Sequence, residues 1–91
     1  MKKNIVRLPP DILSALRHFH PILKTKIRKG LDEIEANPHC GKPLQGRLKG
    51  LFSYRVAYYR IVYQINPEHA AIEVLDIEER RVVYKKIESL I

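Results

Sequence analysis

The tightest constraint on this chain is a change of hydrophobic period. From Pro10 to Ala36 apolar residues return every third or fourth position, and from Phe52 to Ile77 every second. The first spacing lines one face of a helix and the second lines one face of a strand. Each face must leave water, and the simplest way is for the helical part to lie on the extended part. Ile12, Leu13, Leu16 and Phe19 give a first helix behind Pro10, whose missing N–H suits a first turn. His20-Pro21 ends it, because the residue before a proline avoids the helical region. A second helix is expected from Pro21 to Ala36, with Ile22, Leu23, Ile27, Leu31 and Ile34 on its apolar stripe and Asn37-Pro38 as its stop. Lys24, Lys26, Arg28 and Lys29 mostly face water, while Asp32, Glu33 and Glu35 crowd the end where the helix dipole disfavours anions.

Asn4 to Leu8 reads as a short strand closed by Pro9-Pro10. Pro38 to Gly50 reads as irregular and basic, punctuated by Gly41, Pro43, Gly46 and Gly50. Two alternating strands follow, then a turn at Asn66-Pro67-Glu68-His69, then a strand from Ala71 to Ile77. Glu78 to Leu90 is expected to be a terminal helix with Val83, Ile87, Leu90 and Ile91 on its apolar side. The order is β-α-α-β-β-β-α, an α+β fold with a helical hairpin on a mainly antiparallel sheet. A chain of 91 residues can feed one core, so residues 1–91 are expected to form a single domain.

With Ala57-Tyr58 as a two-residue turn, Val56 pairs with Tyr59, Arg55 with Arg60 and Tyr54 with Ile61. Phe52, Tyr54, Val56, Tyr59, Ile61, Tyr63 and Ile65 then share the face the helices cover. Ser53, Arg55, Arg60, Val62 and Gln64 share the other. Ala-Tyr is poor chemistry for such a turn, which favours Gly, Asn or Asp. Two arginines directly opposed destabilise a sheet by about 0.2–1 kcal/mol unless something negative lies between or over them. Either Glu73 or Asp76 on the next strand supplies that charge, or a phosphate does, since its oxygens match the guanidinium fork.

The net charge of +7 and a pI near 9.8 favour a polyanion or an acidic protein as partner. One cysteine, Cys40, excludes an internal disulfide and fits a reducing cytosol. Lys2 and Lys3 precede no long apolar stretch, so a signal peptide is not expected, nor is a membrane span. A soluble, cytoplasmic protein is expected. Arg80 and Arg81 follow the last strand, and Tyr84 lies a helical turn beyond them. Cations at a helix start oppose its dipole, which again favours an anion there. His18 and His20 do not share a helix face, His39-Cys40 lacks the spacing of a zinc site, and His69 belongs to a turn. No metal or cofactor is called for.

The stretch Pro43-Leu44-Gln45-Gly46-Arg47-Leu48-Lys49-Gly50, continued by Tyr54-Arg55-Val56 and by Tyr59-Arg60-Ile61-Val62-Tyr63, resembles the central signature of the RelE/ParE toxin superfamily. The likeness extends over nearly the whole chain through the order of elements and through Arg80 and Tyr84. It implies a toxin of a type II toxin–antitoxin system, bound by an acidic antitoxin. In the RelE branch it implies a metal-independent endoribonuclease that cuts mRNA on the ribosome and so inhibits translation. Carried over by motif, Arg55, Arg60, Arg80 and Tyr84 would be catalytic, and Arg47, Lys49 and Arg81 would touch RNA. Ser53 stands where such enzymes often carry a lysine, Ala57-Tyr58 replaces a Gly-Asp turn, and Glu79 replaces a histidine. These departures leave room for a ParE-like gyrase inhibitor, or for a degenerate toxin that merely binds its antitoxin.

Overall fold

Proline opens both helices. In the computed structural model, which describes residues 4–79, α1 spans Pro10–Leu16 and α2 spans Pro21–Ala36, each with proline in its first turn. His20 caps α2, its Nδ1 accepting from the Ile22 N–H at 3.2 Å. That role leaves no mark in the spacing of the histidines. At the far end Asn37 leaves the helix in an extended conformation and its Oδ1 accepts from the His39 N–H at 3.3 Å, starting a single turn over Pro38–Cys40.

The apolar stripes are narrower than the sequence suggests. Ile12, Ile27 and Ile34 are buried, but Ile22 is 63% exposed and Leu13 45%. At about 100° per residue, Ile22 sits about 140° around the axis from Ile27, and Leu13 about 100° from Ile12. Only one of each pair can face the sheet.

The strands are β1 (Ile5–Arg7), β2 (Lys42–Pro43), β3 (Phe52–Val56), β4 (Tyr59–Asn66) and β5 (Ala71–Glu79), in the sheet order β1-β5-β4-β3-β2. β1 lies parallel to β5, with Ile5 beside Ala71 and Arg7 beside Glu73, and the other pairings are antiparallel. β2, inside the stretch expected to be irregular, pairs Lys42 with Ser53 and Pro43 with Phe52. A proline strand without its own N–H is tolerated there because it is at the sheet edge. β5 continues to Glu79, so Glu78 and Glu79 belong to the strand and do not begin a helix. Arg60 and Tyr59 are their partners on β4. The expected terminal helix beyond them lies outside the described residues.

A bulge decides which β5 residues enter the core. Val74 and Ile77 are three apart, which strict alternation would place on opposite faces, yet both are buried. The register shifts between Val62–Asp76 and Tyr63–Val74, leaving Leu75 as the extra residue, and both side chains point to the helices. The core there comprises Ile12, Ile27, Ile34, Val56, Ile61, Tyr63, Ile72, Val74 and Ile77.

Two tyrosines tie the helical layer to the sheet. The Tyr54 hydroxyl donates to the carboxylate of Glu33, which explains an acid at the wrong end of α2. Tyr63, fully buried, donates to the Pro38 carbonyl at 2.7 Å and accepts from the Gly41 N–H at 3.1 Å. The bond to Glu33 pushes the Tyr54 phenol up to about 12, and burial pushes Tyr63 up to about 12. Both folded values lie above the unfolded one, near 10. Their contribution to stability is therefore complete below about pH 10 and is lost as pH climbs through about 12. Urea denaturation across that window should show a steep loss of stability, and Tyr54→Phe with Tyr63→Phe should flatten it. An unchanged slope in the double variant would refute the assignment.

Candidate nucleic-acid interface

Strands β3 and β4 form a hairpin whose tip is Ala57-Tyr58, with Val56 opposite Tyr59, Arg55 opposite Arg60 and Tyr54 opposite Ile61. The turn is made despite its chemistry: Ala57 takes a φ of 54°, a left-handed conformation costing about 1 kcal/mol in a residue with a Cβ. Arg55 Nε donates to the Ala57 carbonyl at 3.3 Å and braces the tip.

The face away from the helices is not uniformly open. Ser53 and Val62 are buried, and Leu48, Leu51 and Leu44 pack over Val62. The loop expected to be irregular thus closes half of this face, because its leucines need cover of their own. Arg47 and Lys49, both exposed on that loop, are carried on the same side of the sheet as the arginine pair. What remains open is the hairpin end. Arg55 is exposed, Arg60 half-buried, and with Ala57, Tyr58 and Tyr59 they line a shallow pocket of about 120 Å³.

The two acids expected to neutralise the pair are engaged elsewhere. Glu73 accepts from Gln64 at 2.7 Å and meets Arg7 at 3.5 Å, and the bond from Gln64 chiefly holds its carboxyl below the usual range. Asp76 accepts from the Ile77 N–H at 2.9 Å. The acid that register sets beside Arg60 is Glu78, so the row across the sheet reads Arg55, Arg60, Glu78. Among the described residues no ion pair engages Arg55 or Arg60. The row keeps a surplus positive charge at its open end.

Arg80, Arg81 and Tyr84, the remaining residues expected at the site, lie outside the described residues. Tyr58 is the member that sequence reasoning passed over, having been read as a turn residue. Its ring is 85% exposed and lies on the pocket wall. Among the described residues no group of three His, Cys, Asp or Glu side chains could hold a metal ion. His39 packs edge-on against Phe52 at 5.8 Å, and burial raises the Cys40 thiol.

The chain matches the profile of the ParE toxin of type II toxin-antitoxin system, parDE, over residues 3–84. It is 30% identical over 86 residues to Toxin RelG of Mycobacterium tuberculosis, covering 93% of this chain and 87% of that one. It is 35% identical over 86 residues to Toxin RelE of the same organism, covering 91% of this chain and 76% of that one. The crystal structure of the toxin–antitoxin complex RelBE2 from M. tuberculosis superposes with a TM-score of 0.75 at 27% identity, covering 87% of this chain and all of that one (100%). A mutant of E. coli toxin RelE in the free state shares the fold at a TM-score of 0.75 and 15% identity, over 99% of this chain and 100% of that one. With its parallel β1, its helical hairpin and its arginine-bearing β3–β4 hairpin, the chain belongs to the ParE toxin family of type II toxin–antitoxin systems, within the RelE/ParE superfamily.

Proposed function

We propose that this toxin is a RelE-like, ribosome-dependent mRNA endoribonuclease, held in check by an acidic antitoxin. The observation that carries this reading is the opposed Arg55–Arg60 pair, Arg55 exposed and Arg60 half-buried, without an ion pair among the described residues. A phosphodiester placed over the pair would relieve their repulsion and accept both guanidinium forks.

RNA cleavage without a metal needs three things from side chains. A base removes the 2′-OH proton, cations stabilise the pentacoordinate phosphorane, and an acid protonates the departing 5′-oxygen. The 2′-oxygen then bonds to phosphorus as the bond to the 5′-oxygen breaks, leaving a cyclic phosphate and a 5′-hydroxyl. Arg60 and Arg80 are assigned the phosphorane charge, and Arg55 either holds the phosphate or supplies the leaving-group proton. Tyr84 is assigned either the role of that base or the stacking and orienting of a nucleobase. Arg47, Lys49 and Arg81 make auxiliary contacts to RNA, a role exposure already allows Arg47 and Lys49.

The antitoxin is assigned a seat on the other layer. Leu16, Ile27 and Leu31 floor an open groove of about 340 Å³ between the helices, rimmed by Arg17, Lys24 and Arg28. An acidic amphipathic segment would match both floor and rim. No helix among the described residues is long and apolar enough to cross a membrane, and we place the protein in the cytoplasm with its ribosomal target.

Adding the purified chain to translating ribosomes and mapping new 5′ ends tests the proposal. Cuts in the A-site codon are the expected result, and their absence at doses that arrest growth overturns it. The family profile and the residues Ser53 and Glu79 favour a second reading, a gyrase inhibitor without RNA chemistry. Inhibition of DNA supercoiling with no effect on mRNA would establish that reading. Expression with no growth arrest would leave antitoxin binding as the function.

A further inference from the structure

Tyr58 is the most exposed large apolar side chain among the described residues, at 85%. The ring adds nothing to the core, and its turn position ordinarily takes Gly, Asn or Asp. Its neighbour Tyr59 does the opposite, packing its ring 5.3 Å from Phe19 on the helical side. Two adjacent tyrosines therefore differ in role, one packing on the helical layer and one standing in solvent.

The surroundings of Tyr58 say what could cover it. It shares the wall of a shallow pocket with Arg55 and Arg60, and the Arg55–Ala57 hydrogen bond fixes the turn between them. The patch therefore offers two phosphate-binding forks and one flat π-face side by side. At about 120 Å³ and bordered by two arginines it is too small to take a helix, whereas the larger groove of about 340 Å³ lies on the helical side of the sheet. Nucleic acid is the ligand that presents a phosphate and an apolar ring in every repeat, and in a single strand the ring faces are free to stack.

We propose that Tyr58 stacks on a nucleobase next to the phosphate gripped by Arg55 and Arg60, so that the hairpin tip is a clamp for single-stranded RNA. The inference rests on the endoribonuclease reading above and adds to it a positioning residue. Stacking of this kind tolerates any base, because every base has a π-face. The clamp therefore seats the strand without choosing its sequence.

The chain contains no tryptophan, so Tyr58→Trp places a single indole at the tip. Its fluorescence should be quenched by a short single-stranded RNA of about eight nucleotides. In the full chain, Tyr58→Ala should weaken binding of that RNA about tenfold while Tyr58→Phe retains it. The salt dependence of binding should be unchanged in Tyr58→Ala and shallower in Arg60→Ala, because the ring neutralises no phosphate. An oligomer of the same length with abasic sugars should bind the parent and Tyr58→Ala equally. If Arg60→Ala weakens RNA binding and Tyr58→Ala does not, the clamp is wrong and the nuclease reading survives. If neither variant weakens it, both are wrong. A Tyr58→Ala defect confined to antitoxin binding would assign the ring to the protein partner and overturn the clamp.

Discussion

Arg60→Ala should abolish growth arrest on expression and lower the rate of mRNA cleavage about 10²–10³-fold, the usual effect of removing one preorganised charge from a transition state. The protein should remain folded. Arg60 faces Arg55 on one side and Glu78 on the other, so its removal relieves a repulsion and forfeits an attraction. Each is worth about 0.2–1 kcal/mol at such a site, and the sum should leave stability within about 1 kcal/mol of the parent. Arg60→Lys separates charge from shape. Lysine keeps the positive charge but offers no bidentate fork, so activity between parent and Ala is expected. Arg55→Ala should behave like Arg60→Ala, and the double variant should lose little more than either single change if the two hold one phosphate. Full toxicity in Arg60→Ala would remove the basis for the nuclease reading. A collapse of the fold would show instead that the pair is a packing element.

The hairpin was legible because its register follows from parity alone. Once Ala57 and Tyr58 form the turn, Arg55 must meet Arg60, and nothing beyond alternation is needed to see it. β1 was legible as a strand, but its parallel seat beside β5 depends on how the helical hairpin returns the chain, which no local pattern encodes. The bulge at Leu75 was invisible for a related reason. It breaks the parity that makes strands readable, and its cause is the need to bury both Val74 and Ile77. The covered half of the far face shows the same limit. Leu44, Leu48 and Leu51 look like scattered apolar residues in a loop until Val62 gives them a common partner.

The site was legible in part. Opposed arginines announce an anion because they contradict local stability, whereas the identity of the neighbouring acid depended on register. Glu78 sits beside Arg60 because the bulge resets which β5 residue faces which β4 residue, while Glu73, on the turn side of the bulge, is drawn off by Gln64 and Arg7. Tyr58 was legible as an anomaly, a turn residue of the wrong chemistry. Its meaning emerges only when the pocket beside it is known.

Gly41→Ala should be the most destabilising of the small substitutions in the linking loop. A Cβ there would lie 2.4 Å from the Tyr63 hydroxyl oxygen and 3.1 Å from two of its ring carbons. Tyr63 has nowhere to retreat, being fully buried and stacked on Phe52 at 5.5 Å. Overpacking of this kind costs about 1–3 kcal/mol. Displacing the hydroxyl would also break its bonds to Pro38 and Gly41, each worth about 0.5–1.5 kcal/mol. Together these come to about 2–6 kcal/mol, and at about 4–8 °C per kcal/mol for a domain of this size the melting temperature should fall by at least about 8 °C. Tyr63→Phe deletes the hydroxyl and vacates the volume that the added methyl needs. It should cost about 1–3 kcal/mol on its own for the unsatisfied partners. The two changes should therefore not add: the double variant should melt close to Tyr63→Phe alone. Strict additivity would mean that the close approach of Gly41 to Tyr63 is not what selects glycine. The contact matters beyond the core because it anchors the chain between α2 and β2, just before the loop that carries Arg47 and Lys49. If Arg47 and Lys49 contact RNA as proposed, a loosened anchor should blunt that binding even at temperatures where the sheet is intact, and salt-dependent RNA affinity of Gly41→Ala, measured well below its melting point, would reveal it.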